Sequence, residues 1–466
     1  MDVLLLSTYE LGHQPLGVAR PAAHLLAHGH QVRCQDLAVE HLDDTLVREA
    51  DLVGISVPMH TATRLGVRLA ERVRTLNERC HVSFYGLYAS LHADVLLGRL
   101  ADSVVGGEFE TPLVELAARL DDQRWMTDVG RSTTKDAQAA VGRPSSVVFL
   151  GRQEFELPRR DLLPPLQRYA RVDTGARQKL VGYVEASRGC AHRCLHCPIT
   201  PVYGGRLRVV GQDVVLEDIR QLVAMGAEHI TFGDPDFFNG IRHSLRIVEA
   251  MHAEFPSLTY DATIKIEHIL EHRQHIPILE QTGCLFVVSA VEAVQDHILE
   301  NFRKGHTAAD VEEALAITAS VGIVLRPTFV AFTPWTSLDD YLGLLEFIDR
   351  HNLVGHVDPI QLAIRLLVPR GSSLIGTPAM DPFLGPFDEA TFSHRWRHPD
   401  PRVDRLQEAA SDVVARAVGT DHSAEAIFDQ VYNLALRTAG RLSRAPDGRP
   451  PRSGAAVPRL TEPWFC

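Results

Sequence analysis

The spacing that most constrains this chain is Cys190-Ala191-His192-Arg193-Cys194-Leu195-His196-Cys197-Pro198, which gathers three of its 7 cysteines into one short loop. Thiolates are soft ligands, and a C-x3-C-x2-C loop can wrap three corners of a cubic iron–sulfur cluster. A cluster used only for electron transfer takes four thiolates; with no further cysteine near this loop, one iron stays open to a small molecule. Two other metal readings fit less well. A zinc knuckle would add His192 or His196 to the three thiols, but such sites usually pair two short ligand clusters and no second cluster follows. Covalent haem attachment needs C-x-x-C-H, and Cys197 is followed by Pro198.

With 466 residues there is material for roughly three domains, each able to bury a core. The 45% apolar content is that of a globular protein. A net charge of −12 disfavours nucleic acid as a bulk partner. Met1 to Leu6 has no cationic start and is too short for a signal peptide, and no stretch approaches the ~20 apolar residues of a membrane span. Free thiols beside an oxygen-sensitive cluster suit a reducing compartment, so the expected location is cytoplasmic.

Residues 1–145 alternate short apolar runs with amphipathic segments: Val3 to Leu6, Val32 to Cys34, Leu52 to Ser56, Val82 to Tyr85 and Ser103 to Val105. That alternation predicts an α/β domain with a doubly wound parallel sheet. Its ligand crevice belongs at the carboxyl ends of the strands, at Tyr9 to Gly17, Ser56 to His60, Gly86 to Ser90 and Gly106 to Glu110. Between Arg64 and Leu76, the residues Leu65, Leu69, Val73 and Leu76 define one helix face. No G-x-G-x-x-G follows the first strand, so no nicotinamide site is expected.

Residues 146–180, broken by Pro158, Pro164 and Pro165, read as a linker. From 181 to 375 the βα alternation resumes, with strands expected at Val184 to Ser187, His229 to Phe232, Leu258 to Thr263, Leu285 to Ser289, Ile323 to Phe329 and Pro359 to Ile364. Six such units predict a partial (β/α)6 barrel with its chemistry at the carboxyl ends of the strands. Thr263, Lys265 and Glu267 either continue the third strand into the barrel mouth or already belong to a helix. Thr307 is placed as a helix N-cap, and Cys284 as a buried structural thiol. Residues 376–441 read as a helical C-terminal region and 442–466 as a flexible tether with a cysteine-ending tail.

The cysteine loop resembles that of the radical S-adenosylmethionine superfamily. Cys194 to Pro198 leading into Tyr203-Gly204-Gly205-Arg206, and Phe232-Gly233-Asp234-Pro235-Asp236-Phe237, are similar to the branch that carries an N-terminal cobalamin-binding-type domain. His196 departs from the aromatic residue frequent at that position. The resemblance implies a [4Fe-4S] cluster on Cys190, Cys194 and Cys197. It also implies S-adenosylmethionine on the open iron, cleaved reductively to a 5′-deoxyadenosyl radical that acts on an unknown substrate, with flavodoxin or ferredoxin as electron donor. Asp234, with Asp236 as second choice, is expected to receive the cofactor's amino group, Ser289 and Glu292 to approach its ribose and carboxylate, and Arg326 to clamp its carboxylate.

The D-x-H-x-x-G motif of histidine-ligated cobalamin is absent, so cobalamin is compatible only without a histidine ligand. With it, a radical methyltransferase is the alternative; a non-catalytic iron–sulfur or zinc scaffold is a third class. The ending Glu462-Pro463-Trp464-Phe465-Cys466 resembles proteins with a CUAEP or CCAEP tail, which implies a redox role for Cys466 and a selenocysteine codon read as a stop after it.

Overall fold

The computed structural model describes residues 1–128, 145–417, 423–444 and 457–462. Six parallel strands open the chain: β1 (Asp2–Ser7), β2 (Gln31–Asp36), β3 (Leu52–Ser56), β4 (His81–Tyr85), β5 (Ser103–Gly107) and β6 (Ser145–Phe149), in the order β2-β1-β3-β4-β5-β6. Continuous burial along β1, β3 and β5 is what a parallel sheet covered by helices on both faces demands. Separate apolar clusters fill its two sides. β6 lies in the stretch read as linker. It is an edge strand whose Val147 and Val148 remain exposed, so its apolar run is too short and too open to stand out.

The helix His60–Leu76 buries Ala62, Gly66, Leu69, Ala70 and Val73, while Leu65, expected on the buried face, is exposed. Gly66 moves the seam, because its missing side chain lets the helix lie against Ile55 and Phe84.

The second unit begins with β7 (Arg171–Asp173) and β8 (Gln178–Val184), followed by the short strands β9 (Ser187–Gly189) and β10 (Leu207–Val209). It continues through β11 (His229–Phe232), β12 (Thr259–Thr263), β13 (Cys284–Glu292) and β14 (Val324–Phe329). After the hairpin β15 (Leu384–Asp388) and β16 (Ser393–Trp396) comes β17 (Arg459–Leu460). One curled sheet runs β14-β13-β12-β11-β8-β7-β17, with β8, β11, β12, β13 and β14 parallel and β7 and β17 antiparallel at its edge. It is the half-barrel, with helices packed outside it around the largest core.

The sixth expected strand takes another form. Pro359–Leu362 turns as a 3-10 helix, and only a single bridge, Phe332 to Arg365, continues the barrel there. Pro359 has no N–H for a ladder, and Asp358 ahead of it is held by Arg326. β17 instead borders the sheet on the far side: Leu460 packs with Val172, Val181 and Phe286, and Pro458 O accepts a hydrogen bond from Arg326.

Elsewhere local rules hold. Thr307 caps the helix Ala308–Ser320 in a reciprocal box with Asp310, and Cys284 is buried with its Sγ toward Phe286 O. Among the described residues no helix is long and apolar enough to cross a membrane.

Candidate functional site

β8 ends at Val184, and β9 pairs with β10 so that the two short strands pinch the base of the loop that carries the cysteines. Gly189, at φ +73°, makes the turn into Cys190; a side chain there would strike Arg206 O and the Tyr203 ring. Inside the loop, Thr200 Oγ1 donates to Cys194 O (2.7 Å) and Leu195 N to Phe302 O (2.9 Å). Asn239 Nδ2 stands 3.4 Å from Cys190 Sγ, an N–H aimed at a sulfur of the kind that tunes cluster ligands.

The donor set fits an iron–sulfur cube better than zinc. Tetrahedral zinc draws its thiolates to within about 3.8 Å of one another. Among the described residues, the groups whose ligand atoms all lie within 4.8 Å of each other do not include the three thiols. Neither local histidine completes a Cys3His set. His192 turns to Asp236 (Nε2 to Oδ2 3.4 Å) and His196 to Glu292 (3.1 Å).

The expected cofactor residues are placed differently from one another. Glu292 meets the loop: a register shift between β13 and β14 brings it in at φ +71°, beside His196 and 3.5 Å from Lys304 Nζ. Burial alone would raise its carboxyl, but Lys304 and His196 hold it down to about 2. The left-handed backbone at Glu292 is costly for a residue with a side chain, and it turns this buried carboxylate toward His196 of the cysteine loop.

Asp234 sits close to the loop but is turned back. Its Oδ2 accepts from Ala186 N (2.9 Å) and its Oδ1 from Ser187 Oγ (2.5 Å), so the carboxyl ties β11 to the approach of the loop. Burial, opposed by these bonds, raises it to about 7. Ser289 is fully buried, and strand alternation puts it on the face of Val287 and Val291, which belong to the core, away from the mouth. Its hydroxyl has no hydrogen-bond partner. Arg326 lies inside the half-barrel, its Nη2 donating to both carboxylate oxygens of Asp358 at 3.2 Å and its Nη1 to Pro458 O. Cys466 lies outside the described residues.

Of the two readings of 263–267, the helical one holds. β12 stops at Thr263 and the helix Ile266–Glu271 begins after Lys265. Lys265 is nonetheless buried, with Nζ 2.6 Å from Glu267 Oε2 and 3.2 Å from His192 Nδ1.

Residues that the sequence reading passed over complete the site. Arg188, two positions before Cys190, is buried between three carboxylates: Glu110 (2.7 Å), Glu185 (2.8 Å) and Glu108 (3.6 Å). Its guanidinium also lies over the Phe109 ring. Arg20 pairs with Glu185 (2.9 Å), and Tyr203 donates to Glu108 (3.0 Å). Burial pushes Glu110 up, and Arg188 and Arg20 bring it below its ordinary range. The Glu108-Phe109-Glu110 crest, marked in the sequence as a crevice edge, thus faces the other domain; nothing local in the sequence could announce Arg188 as its partner.

Where the strand ends of the first sheet meet the loop, a cavity of about 230 Å³ opens, with Pro58, Met59, Leu87 and Phe109 on one side and Ser187 and Tyr203 on the other. Glu10 lines it and accepts from Leu16 N (3.1 Å) and Gly17 N (3.3 Å) at the start of the helix Leu16–Ala27. Burial, with the charge of Glu185, raises its carboxyl to about 8. His13, the histidine of this lining, stacks on Tyr183 at 4.7 Å, and burial lowers it to about 4.

Residues 184–344 match the Radical SAM superfamily model. The chain is 27% identical over 332 residues to hopanoid C-3 methylase of Methylococcus capsulatus, covering 69% of this chain and 62% of that protein, so it spans less than two thirds of that relative. Its fold resembles TsrM, a radical S-adenosylmethionine methyltransferase from Kitasatospora setae solved with tryptophan substrate and aza-SAM. That match has a TM-score of 0.62 and 16% identity, and covers 95% of this chain and 96% of the other. It also resembles OxsB, a cobalamin-dependent S-adenosylmethionine radical enzyme solved with aqua-cobalamin, at TM-score 0.67 and 13% identity, covering 90% and 67%.

Proposed function

With a radical S-adenosylmethionine domain over residues 184–344 as the premise, we propose that this chain is a cobalamin-dependent member of that enzyme class that methylates or rearranges an unactivated carbon. The observation that carries the reading is the placement of the cavity: the crest of the first sheet forms one wall, and Ser187 to Gly189, Ile199 and Tyr203, which flank the cysteine loop, form the other. Cys190, Cys194 and Cys197 would hold a [4Fe-4S] cluster, with S-adenosylmethionine bound beside it. When bound, the cluster would supply the electron for reductive cleavage and a corrinoid would supply methyl-carrier chemistry.

The chain's own residues then have definite work. Leu11, Pro58, Met59, Leu87 and Phe109 offer an apolar bed to one face of a macrocycle. His13 stacks on Tyr183, and burial, which lowers it to about 4, keeps a positive charge out of this wall of the cavity. Glu10, protonated near neutral pH, presents a donor to the cavity without placing a charge in it. Glu292, fixed as an anion beside His196 and Lys304, orients the cofactor at the cysteine loop. Flavodoxin or ferredoxin serves as reductant. Cys466 is proposed as a redox thiol; the last described residue, Glu462, accepts a hydrogen bond from Tyr9 (3.0 Å), next to Glu10 of the cavity wall.

The test is anaerobic reconstitution with iron and sulfide, with and without cobalamin, followed by reduction and chromatography with S-adenosylmethionine. S-adenosylhomocysteine formed only when cobalamin is present supports methyl transfer. 5′-deoxyadenosine alone, with cobalamin absorbance missing after desalting, leaves a radical enzyme whose cavity holds substrate. Neither product from protein with an intact cluster overturns the proposal.

A further inference from the structure

We propose that His192, Asp236 and His268 form a separate binding site for a divalent ion of the zinc or iron(II) class at the barrel rim. The three residues come from three elements: His192 from the cysteine loop, Asp236 from the turn after β11, and His268 from the helix Ile266–Glu271 after β12. Their ligand atoms all lie within 4.8 Å of one another. His268 Nδ1 is 2.7 Å and His192 Nε2 3.4 Å from Asp236 Oδ2, and the two imidazole rings sit 4.7 Å apart. For metal bonds of about 2.0–2.2 Å, ligand atoms around one ion stand roughly 3–4 Å apart, close to this spread.

Proximity alone would also suit a histidine–carboxylate cluster, so the orientation of these atoms decides the argument. His192 Nε2, Asp236 Oδ2 and His268 Nδ1 are all buried and all lack a hydrogen-bond partner. Asp236 is 2% exposed, and a buried oxygen left in this state needs a partner that the hydrogen-bond network does not supply. Its other oxygen is already used: Oδ1 accepts from Phe238 N and Lys265 N, which fixes the carboxylate with Oδ2 facing the histidines. Lys265, the nearby cation, is paired with Glu267, whose Oε2 also lies 3.6 Å from His192 Nδ1. Two imidazoles and a carboxylate are the donor set of open zinc and non-haem iron(II) sites, in which remaining positions are left to water or a ligand. An ion there would staple the middle of the cysteine loop to the ends of two barrel strands.

The experiment needs no substrate and no turnover. Holoprotein with its cluster reconstituted is incubated with zinc chloride, desalted, and assayed for zinc and iron by mass spectrometry. Retention of zinc beyond the iron of the cluster is expected. Asp236→Asn, which keeps Oδ1 for its backbone donors, and His268→Ala each lower the apparent zinc affinity at least about tenfold, with iron content and cluster absorbance unchanged. His272→Ala, which removes a ligand of the neighbouring His268–Glu271–His272 group, leaves zinc binding intact. Absence of zinc from wild-type holoprotein, equal retention by Asp236→Asn, or loss through His272→Ala overturns the assignment. Each outcome is independent of whether S-adenosylmethionine is cleaved.

Discussion

Two polar clusters brace the cysteine loop, and they are built on different terms. Arg188 at the base of the loop is charge-paired: its guanidinium meets Glu110, Glu185 and Glu108 and stacks on Phe109, with the Arg188 side chain 7% exposed. His192 in the middle of the loop belongs to a set whose converging atoms are left unpartnered, and the side chains of His192 and His268 are 18% and 13% exposed. A cluster of opposite charges buried between two domains holds them in register; two imidazoles and a carboxylate converging at a rim are arranged to receive a cation. The contrast separates residues that position the chemistry from residues that bind.

Breaking the loop itself has the largest effect. Cys194→Ala is expected to abolish the brown cluster absorbance and reduce 5′-deoxyadenosine production to background, because two thiolates do not retain the cube. Next comes the charge-paired cluster. Arg188→Met leaves Glu108 and Glu110 buried and Glu185 half-buried against a single remaining arginine, Arg20, and is expected to cost about 3–5 kcal/mol in denaturant unfolding. An unchanged midpoint would mean that the interdomain network is solvated in solution.

Glu10 gives a pH signature between these extremes. The folded chain keeps a proton that the unfolded chain releases above about pH 4.5, so the stability Glu10 contributes is full below that pH, declines toward about pH 8 and is flat beyond. The slope from this one group is at most about 1.4 kcal/mol per pH unit. Glu10→Gln keeps the oxygen that caps Leu16 and Gly17 and is expected to flatten that part of the melting-temperature profile. The smallest effect belongs to the histidine–carboxylate cluster: Asp236→Asn without added metal removes a buried anion that, against the effect of burial, His192 and His268 hold down to about 2, and is expected to cost about 1–2 kcal/mol. A much larger loss would make Asp236 a structural anchor like Arg188.

The sequence made the architecture legible because its strands are marked by apolar runs: β3 and β11 begin and end where the reading put them. It faltered where tertiary context replaces local pattern. β6 is a half-exposed edge, and Pro359 turns a plausible strand into a 3-10 helix. Within the site, the cysteines announce themselves by spacing alone. The destinations of Asp234, Ser289 and Arg326 could not be read, since each depends on a distant partner or on which strand face a side chain takes: Ala186 and Ser187 for Asp234, the core side of β13 for Ser289, and Asp358 with the β17 segment for Arg326. His192, Asp236 and His268 likewise gain meaning only when three strand ends meet.

The short β17 has a consequence for synthesis. It pairs Arg459 with Asp173 and Leu460 with Val172, a separation of about 290 residues. A ribosome adding about 5–20 residues per second needs on the order of 15–60 s to cover that distance. For that interval β7 has no partner on one edge, and once Phe286 has been made the apolar group of Val172, Val181 and Phe286 still lacks Leu460. Until β17 is synthesised, that open edge is where a strand of another chain could pair with the nascent one.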